Sequence, residues 1–404
     1  MSTSLLYHGF GVRGYRQQRT DFAEGVVIFT IEQPRERLRC PRCGSSDVHA
    51  RGRVRREYQT LPIGHRSVWI ALDVPRVSCE ACGTIRQVAV PFAEERKSYT
   101  RSFERYALEL LRHMTIRDVA MHLGVGWDLI KDLQKRHLQR HFARPKLSHL
   151  RRIAIDEISV GHGHRYLTVV LDLESGAVVH VGDGKGAAAL KPFWKRLRAA
   201  HARIEAVAID MSPAYLQAVL TNLPEARIVF DRFHVVKLYN EKLSELRREL
   251  YREATDRLHK DVLKGTRWLL LKNPENLDRS RNEHRRLDEA LTLNRTLATA
   301  YYLKELLRLF WEQSDRARAR IFLDEWIELA QASGVRMLQA FGKTLAGHRT
   351  GLLAWYDYPI STGPLEGTNT KIKLLQRQAY GFRDQEFFKL RILALHEAKH
   401  VLVG

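Results

Sequence analysis

A chain of 404 residues has room for two or three domains and a sizeable core. Its 67 Lys and Arg against 46 Asp and Glu leave a net charge of +21, which repels itself in a compact fold and points to a polyanionic partner, nucleic acid before an anionic membrane surface. No apolar run approaches membrane-spanning length, the opening "MSTSLLYHGFGVRGYRQQ" lacks the apolar centre of a secretion signal, and neither terminus carries a strong basic amphipathic segment; a cytoplasmic, nucleoid-associated location away from membranes is expected.

All four cysteines fall in two knuckles, Cys40 and Cys43 in "CPRCG" and Cys79 and Cys82 in "CEACG". Two C-x-x-C pairs supply the four thiolates of a closed tetrahedral zinc site, and Gly44 and Gly83 let the backbone turn beneath the metal. Disulfides fit a cytoplasm poorly, and isolated buried thiols would not come paired at this spacing. The pieces "REYQTL" and "SVWIALDVPRVS" around a "PIGHR" turn predict a zinc ribbon whose short strands need metal because they bury little apolar surface. Arg51, Arg53, Arg55 and Arg56 on its first strand suit phosphate contacts or, equally, a solvated edge that deters strand pairing.

From Tyr99 to His141 the pattern is helical, and "TIRDVAMHLGVGWDLIKDLQKRH" has the order of a helix-turn-helix. Val119, Ala120 and Leu123 form one apolar face, Gly124 the turn, and Trp127, Ile130 and Leu133 the facing side of the second helix. That helix is expected to expose Lys131, Gln134 and Lys135, which suit a DNA major groove; an ordinary packed helix pair is the plainer alternative.

After "ARPKLSHLRR" the pattern changes to β. "RRIAIDEIS" and "IEAVAIDMS" share an apolar-Ala-Ile-Asp form ending at Asp156 and Asp210. Between them come a hairpin, "RYLTVVLDLES" with "GAVVHVGDG", and a helix, "GAAALKPFWKRLRAA"; a short helix, "SPAYLQAVLTNLP", and a strand, "ARIVFDRF", follow. The order predicts a mixed sheet with helices on both faces. An Asp at the end of a buried strand is costly unless satisfied, and two on neighbouring strands repel unless a divalent cation lies between them. Capping of the following turns is the structural alternative. Glu157 rivals Asp156, but strand alternation sends it to the opposite face.

The stretch from about His234 to Trp355 reads as helix after helix, with Trp311, Trp326 and Trp355 as core residues. The final helical segment, "PLEGTNTKIKLLQRQAYGFR", is loaded with cations yet carries Glu366 in its first turn. Pro364 suits that turn and "STG" offers capping groups. Glu366, Asn369, Thr370, Lys373 and Arg377 follow helical spacing on one face, and Ile372, Leu375 and Ala379 on another that packs on the sheet. A third metal ligand followed by a phosphate track accounts for the isolated carboxylate; a solvated charged face accounts only for the cations.

These motifs in this order resemble the bacterial insertion-sequence transposases of the ISL-three type, over nearly the whole chain. "IAIDEIS", "VAIDMS", "FDRFHV" and "EGTNTKIKLLQRQAYGF" carry the resemblance, together with the ribbon and the helix-turn-helix. It implies a zinc-ribbon DNA-binding domain over 1–95, a helix-turn-helix domain over 96–145, and an RNase H-like DDE catalytic domain over 146–404 interrupted by a helical insertion at about 234–355. Asp156, Asp210 and Glu366 correspond to the catalytic, metal-holding triad. Asp231 and His234 match an Asp-x-x-His element at the site, with capping of the next helix the alternative for Asp231.

The implied chemistry is phosphoryl transfer with two Mg²⁺ per site, for which Mn²⁺ can substitute, and a structural Zn²⁺ in the ribbon. The substrate is double-stranded DNA, both transposon ends and target, with Lys371, Lys373, Arg377 and Arg383 on phosphates. Pairing two ends implies a homodimer or a larger synaptic complex. Two other classes stand beside this one: a non-catalytic DNA-binding regulator derived from a transposase, and a structure-specific nuclease such as a junction resolvase.

Overall fold

The computed structural model describes residues 4–161, 163 and 165–396. The chain divides into two compact units, Met1–His141 and Phe142–Gly404.

In the first unit a short helix, α1 (Leu5–Phe10), precedes a hairpin of β1 (Arg16–Ala23) and β2 (Val26–Glu32). Two long strands follow, β3 (Val48–Ile63) and β4 (Arg66–Cys79), then β5 (Ile85–Gln87). The sheet order is β1-β2-β4-β3 with β5 on β4, and β2 and β4 run parallel while the other pairs are antiparallel. Along β4, Val68, Ile70, Leu72 and Val74 alternate into a core with Leu6, Phe10, Phe29 and Ile31. This core corrects the expectation of strands that bury too little by themselves. Helix α1 and strand β2, which the sequence pattern does not announce, supply Leu6, Phe10, Val27, Phe29 and Ile31 to it, and the cysteines pin only the open end of the β3–β4 hairpin.

Helices α2 (Arg101–Leu110), α3 (Ile116–Leu123) and α4 (Trp127–Phe142) form a second core through Phe103, Ala107, Val119, Ala120, Leu123, Ile130 and Leu133. A capping box starts α3: the Asp118 amide donates to Thr115 Oγ1, and the Thr115 amide to Asp118 Oδ2. Gly124, at φ 63°, ends it. Two side chains depart from expectation. Trp127 begins α4 beyond the edge of the core and is 47% exposed, with the Lys131 ammonium 5.5 Å from its ring centre. Gln134 is buried, because it shares the i, i+4 stripe of Ile130 and Leu138. Lys131 and Lys135 are half-buried on the same helix.

The second unit carries the expected mixed sheet. Its strands are β6 (Arg152–Gly161), β7 (Arg165–Asp172), β8 (Val178–Asp183), β9 (Ala206–Ile209) and β10 (Arg227–Phe230), with α5 (Ala187–Ala199) and α6 (Pro213–Asn222) between them. The order is β10-β9-β6-β7-β8; β6, β9 and β10 are parallel, and β7 is antiparallel to both its neighbours. Alternation sorts the two faces. Ile153, Ile155, Val207 and Ile209 pack against Phe193, Trp194, Tyr215 and Val219 of α5 and α6. Ala154, Ile158, Ala206, Ala208 and Val229 pack against Leu365, Ile372 and Leu375 of α15 (Gly363–Gln378) and Phe388 of α16 (Gln385–Leu393).

Between β10 and α15 the chain is helical. Helix α7 (Arg232–Glu253) is followed by α8 to α14 over residues 257–353. Tyr239, Leu243, Trp326 and Phe341 centre their core, which is continuous with the α5–α6 face of the sheet. The Tyr239 hydroxyl donates to the Ala300 carbonyl at 2.7 Å and Trp326 Nε1 to the Leu303 carbonyl at 2.9 Å, so both large side chains are buried with their polar ends satisfied. Trp311 is buried as well, and Trp355 is half-buried against the same core, in keeping with the reading of all three tryptophans as core residues.

The last helix of the insertion lies so close to β10 that a Cβ on Gly351 would meet the Phe230 ring at 2.4 Å. Gly351→Ala is therefore expected to destabilise the second unit by about 1–3 kcal/mol, read as a lower melting temperature by calorimetry. Among the described residues no helix is long and apolar enough to cross a membrane.

Candidate active site

Strand register brings the acidic groups together. Ala154 pairs with Ala208 across β6 and β9, and Ile209 with Phe230 across β9 and β10. Asp156 lies two residues beyond Ala154, Asp210 two beyond Ala208, and Asp231 two beyond Val229. Asp210 and Asp231 thus directly follow the ends of β9 and β10, while Asp156 lies within β6 just past the end of its pairing with β9; all three fall on the same sheet face, the one that α15 covers.

Asp156 Oδ1 accepts the Glu157 N–H at 2.8 Å, and Oδ2 accepts Nδ2 of Asn369 at 2.9 Å. Burial pushes this carboxyl up to about 6; the Glu157 amide and His234 pull it down, while the charges of Asp210 and Glu157 add to the rise. Glu157 itself acts on Tyr215, whose ring lies in the opposite core, which agrees with the choice of Asp156 over Glu157. Asp210 Oδ1 accepts the Ser212 amide at 3.0 Å, so one of its oxygens does cap the following turn.

Asp231 occupies the N-cap position of α7, but its side chain does not cap. Only 2% exposed, its Oδ2 accepts the Thr362 hydroxyl at 2.8 Å. The capping expected of "STG" is carried in part: Ser361 Oγ accepts the Gly363 N–H at 3.2 Å, while Thr362 spends its hydroxyl on Asp231 and gives α15 no side-chain cap. The bond fastens the first residues of α7 and α15 together and satisfies a buried carboxylate. His234, in the first turn of α7, is among the charges acting on Asp156, and its Nε2 is buried without a protein partner.

Glu366 sits half-buried in the first turn of α15, three residues and so one turn before Asn369. Leu365, Thr368, Ile372 and Leu375 form the buried side of that helix, whereas Ala379 is exposed at its C-cap and takes no part in the packing expected of it. Among the described residues the four cysteines are the group of three or more His, Cys, Asp or Glu side chains whose ligand atoms lie within 4.8 Å of one another. Asp156, Asp210 and Glu366 do not draw that close, and of the other two only Asp210 is among the charges acting on Asp156.

The cysteine site is closed by geometry. Cys40 and Cys82 sulfurs are 3.6 Å apart, and those of Cys43 and Cys79 3.5 Å. A tetrahedron with Zn–S bonds of about 2.3 Å has sulfur–sulfur edges of about 3.8 Å, so the four thiols fit a structural zinc. Gly44 and Gly83, at φ 75° and 67°, return their N–H groups to the Cys40 and Cys79 carbonyls, each at 2.9 Å.

Of the basic candidates, Lys371, Lys373, Arg377 and Arg383 are exposed. Arg51 and Arg53 are exposed on β3 around an irregularity that includes Gly52 at φ 103°, and Arg51 Nε donates to Ser78 Oγ at 3.2 Å.

A zinc ribbon, a helix-turn-helix and a mixed sheet with acidic strand ends under a cationic helix define a DNA-recombining enzyme of the transposase class. The chain belongs to the ISL3 family: its transposase domain is matched over residues 153–392, the helix-turn-helix domain of transposase family ISL3 over 88–138, and the zinc-finger of transposase IS204/IS1001/IS1096/IS1165 over 36–82. The transposase for insertion sequence element IS1001 of Bordetella parapertussis is 34% identical over 390 residues, 95% of this chain and 96% of its own. That for IS1557 of Mycobacterium tuberculosis is 30% identical over 416 residues, covering 96% and 93%. The Drosophila P element transposase in its strand transfer complex aligns over 74% of this chain and 92% of that one, at a TM-score of 0.36 and 10% identity.

Proposed function

We propose that this transposase binds the terminal inverted repeats of an insertion sequence and catalyses metal-dependent DNA cleavage and strand transfer, with Asp156, Asp210 and Glu366 as its catalytic carboxylates. The observation that carries this reading is the side-by-side placement of Asp156 and Asp210 where the pairing of the neighbouring parallel strands β6 and β9 ends, on the sheet face covered by the helix that bears Glu366. Their oxygens are the hard ligands that Mg²⁺ takes, and a buried carboxyl pushed up to about 6 gains from a cation beside it. Two Mg²⁺, or Mn²⁺ in their place, supply charge stabilisation for the attacking and leaving oxygens of an in-line displacement. Asp156 and Asp210 hold the fixed side of that site, and Glu366 closes it from α15. Asp231 and His234 line it, Asp231 by locking the start of α15 through Thr362.

DNA is held elsewhere on the chain. Residues 1–95 and 96–145 act as recognition modules and 146–404 as the catalytic domain with its helical insertion. Arg51, Arg53, Lys131 and Lys135 serve end recognition, and Lys371, Lys373, Arg377 and Arg383 the phosphates of the cleaved strand. Two ends are brought together by at least two copies of the chain, working on DNA in the cytoplasm.

The test is to incubate the full chain with DNA carrying the element's termini and Mg²⁺. Nicking at the element boundary with a free 3′-hydroxyl is the expected result. Tight binding with no nicking in either Mg²⁺ or Mn²⁺ would identify a non-catalytic regulator instead.

A further inference from the structure

Helix α15 is tied to strand β6 at two points. Asn369 Nδ2 donates to Asp156 Oδ2 at 2.9 Å, and seven residues on, Gln376 Nε2 donates to the Val160 carbonyl at 2.9 Å. Seven helical residues span about 10.5 Å and the four strand steps from Asp156 to Val160 about 13 Å, so the two bonds hold helix and strand alongside each other. They differ in what they grip: Gln376 holds backbone, Asn369 holds a carboxylate assigned to the catalytic site.

Asn369 shows a second feature. Its Oδ1 is buried and has no protein donor. A buried amide oxygen left without a partner is costly and calls for an explanation, particularly when the nitrogen of the same amide is engaged with Asp156. The Asp156 carboxylate, for its part, takes one N–H on each oxygen, from Glu157 and from Asn369. Each oxygen keeps a lone pair, so both bonds persist when a cation is bound.

We infer that Asn369 is a positioning residue of the cation site: its Nδ2 fixes the orientation of Asp156, and its Oδ1 is held for a water molecule on the bound cation. The inference rests on the assignment of Asp156 as a metal ligand. Partners that hydrogen-bond a ligating carboxylate fix its direction, and their loss costs about 10- to 100-fold in metal affinity. Asn369 also sits one turn from Glu366, so the bond that orients Asp156 also sets how far along β6 Glu366 is carried.

The experiment is a Mn²⁺ titration of the full chain, followed by calorimetry and by the rise in melting temperature on adding the ion, with no DNA present. Four proteins are compared: unaltered, Asn369→Ala, Gln376→Ala and Asp156→Asn. Asn369→Ala is expected to weaken Mn²⁺ binding about 10-fold or more, while Gln376→Ala, which removes the other tether of the same helix, stays within about twofold. Asn369→Ser, a shorter donor and acceptor, recovers part of the loss and replaces Asn369→Ala if that variant folds poorly.

Equal weakening in Asn369→Ala and Gln376→Ala would reduce Asn369 to a helix anchor and overturn the inference. So would unchanged affinity in Asn369→Ala when Asp156→Asn has lost binding. Unchanged affinity in Asp156→Asn defeats the assignment of Asp156 itself, a separate failure recognisable from that protein alone.

Discussion

Glu366→Gln is expected to leave binding to element-end DNA within about twofold and to lower Mg²⁺-dependent cleavage at least about 10³-fold. The estimate follows from the several kcal/mol a catalytic cation contributes to charge stabilisation, at a factor of ten for each 1.36 kcal/mol. Binding survives because the exposed cations of α15 and the separate N-terminal modules are untouched, and Gln keeps the size and helix preference of Glu. A gel-shift assay and a cleavage time course on the same preparation read both quantities. Cleavage at the normal rate would remove Glu366 from the mechanism.

Asp156→Asn should abolish cleavage equally, and it adds a pH signature. Burial raises this carboxyl in the folded chain to about 6, above the ordinary aspartate value of 3.8, so the fold binds its proton more tightly than the unfolded chain does. Its stabilising contribution is complete below about pH 4 and is lost as the pH rises through about 6. Without divalent cations at pH 7.5, Asp156→Asn should therefore melt at or above the unaltered chain, and the difference should vanish towards pH 4. A melting temperature well below the unaltered chain at pH 7.5 would show that Asp156 is held by favourable bonds that outweigh its burial.

The parts legible in the sequence were those whose signal is local. Two C-x-x-C pairs name their own ligands, and the repeated Ala-Ile-Asp form places Asp156 and Asp210 because parallel strands of like pattern align like residues. Strand β1 escaped notice because "RQQRTDFA" shows no apolar alternation: it is exposed along most of its length, and its Phe22 is 68% exposed. The arginines of "VHARGRVRR" do fall on the ribbon's first strand as read, because β4 pairs along it. Gln134 reads as exposed from its polarity, yet the four-residue spacing from Ile130 to Leu138 puts it on the buried face of α4. The Asp231–Thr362 bond joins residues 131 positions apart and has no local signature at all.

Cys79→Ser is expected to yield a chain with less than about a tenth of one zinc and an N-terminal unit that melts about 10 °C lower. Zinc contributes about 10–16 kcal/mol in isolated fingers, where it organises the whole fold. Here the Val68–Val74 core and four more strands already hold the ribbon's base, so only the open end of the β3–β4 hairpin depends on the ion. A net loss of about 3 kcal/mol is the smaller consequence of that arrangement, and in a unit of this size it corresponds to about 10 °C. Cys79 is the sharpest choice because it is buried at the last position of β4, and Ser offers a far weaker zinc ligand there. Since Phe142–Gly404 is a separate compact unit with its own core, its melting should not change. Atomic absorption gives the zinc content and calorimetry the two transitions. A fall of both transitions together would mean that the two units unfold as one, and full zinc occupancy in Cys79→Ser would mean that the thiols at 3.5–3.6 Å are not its ligands.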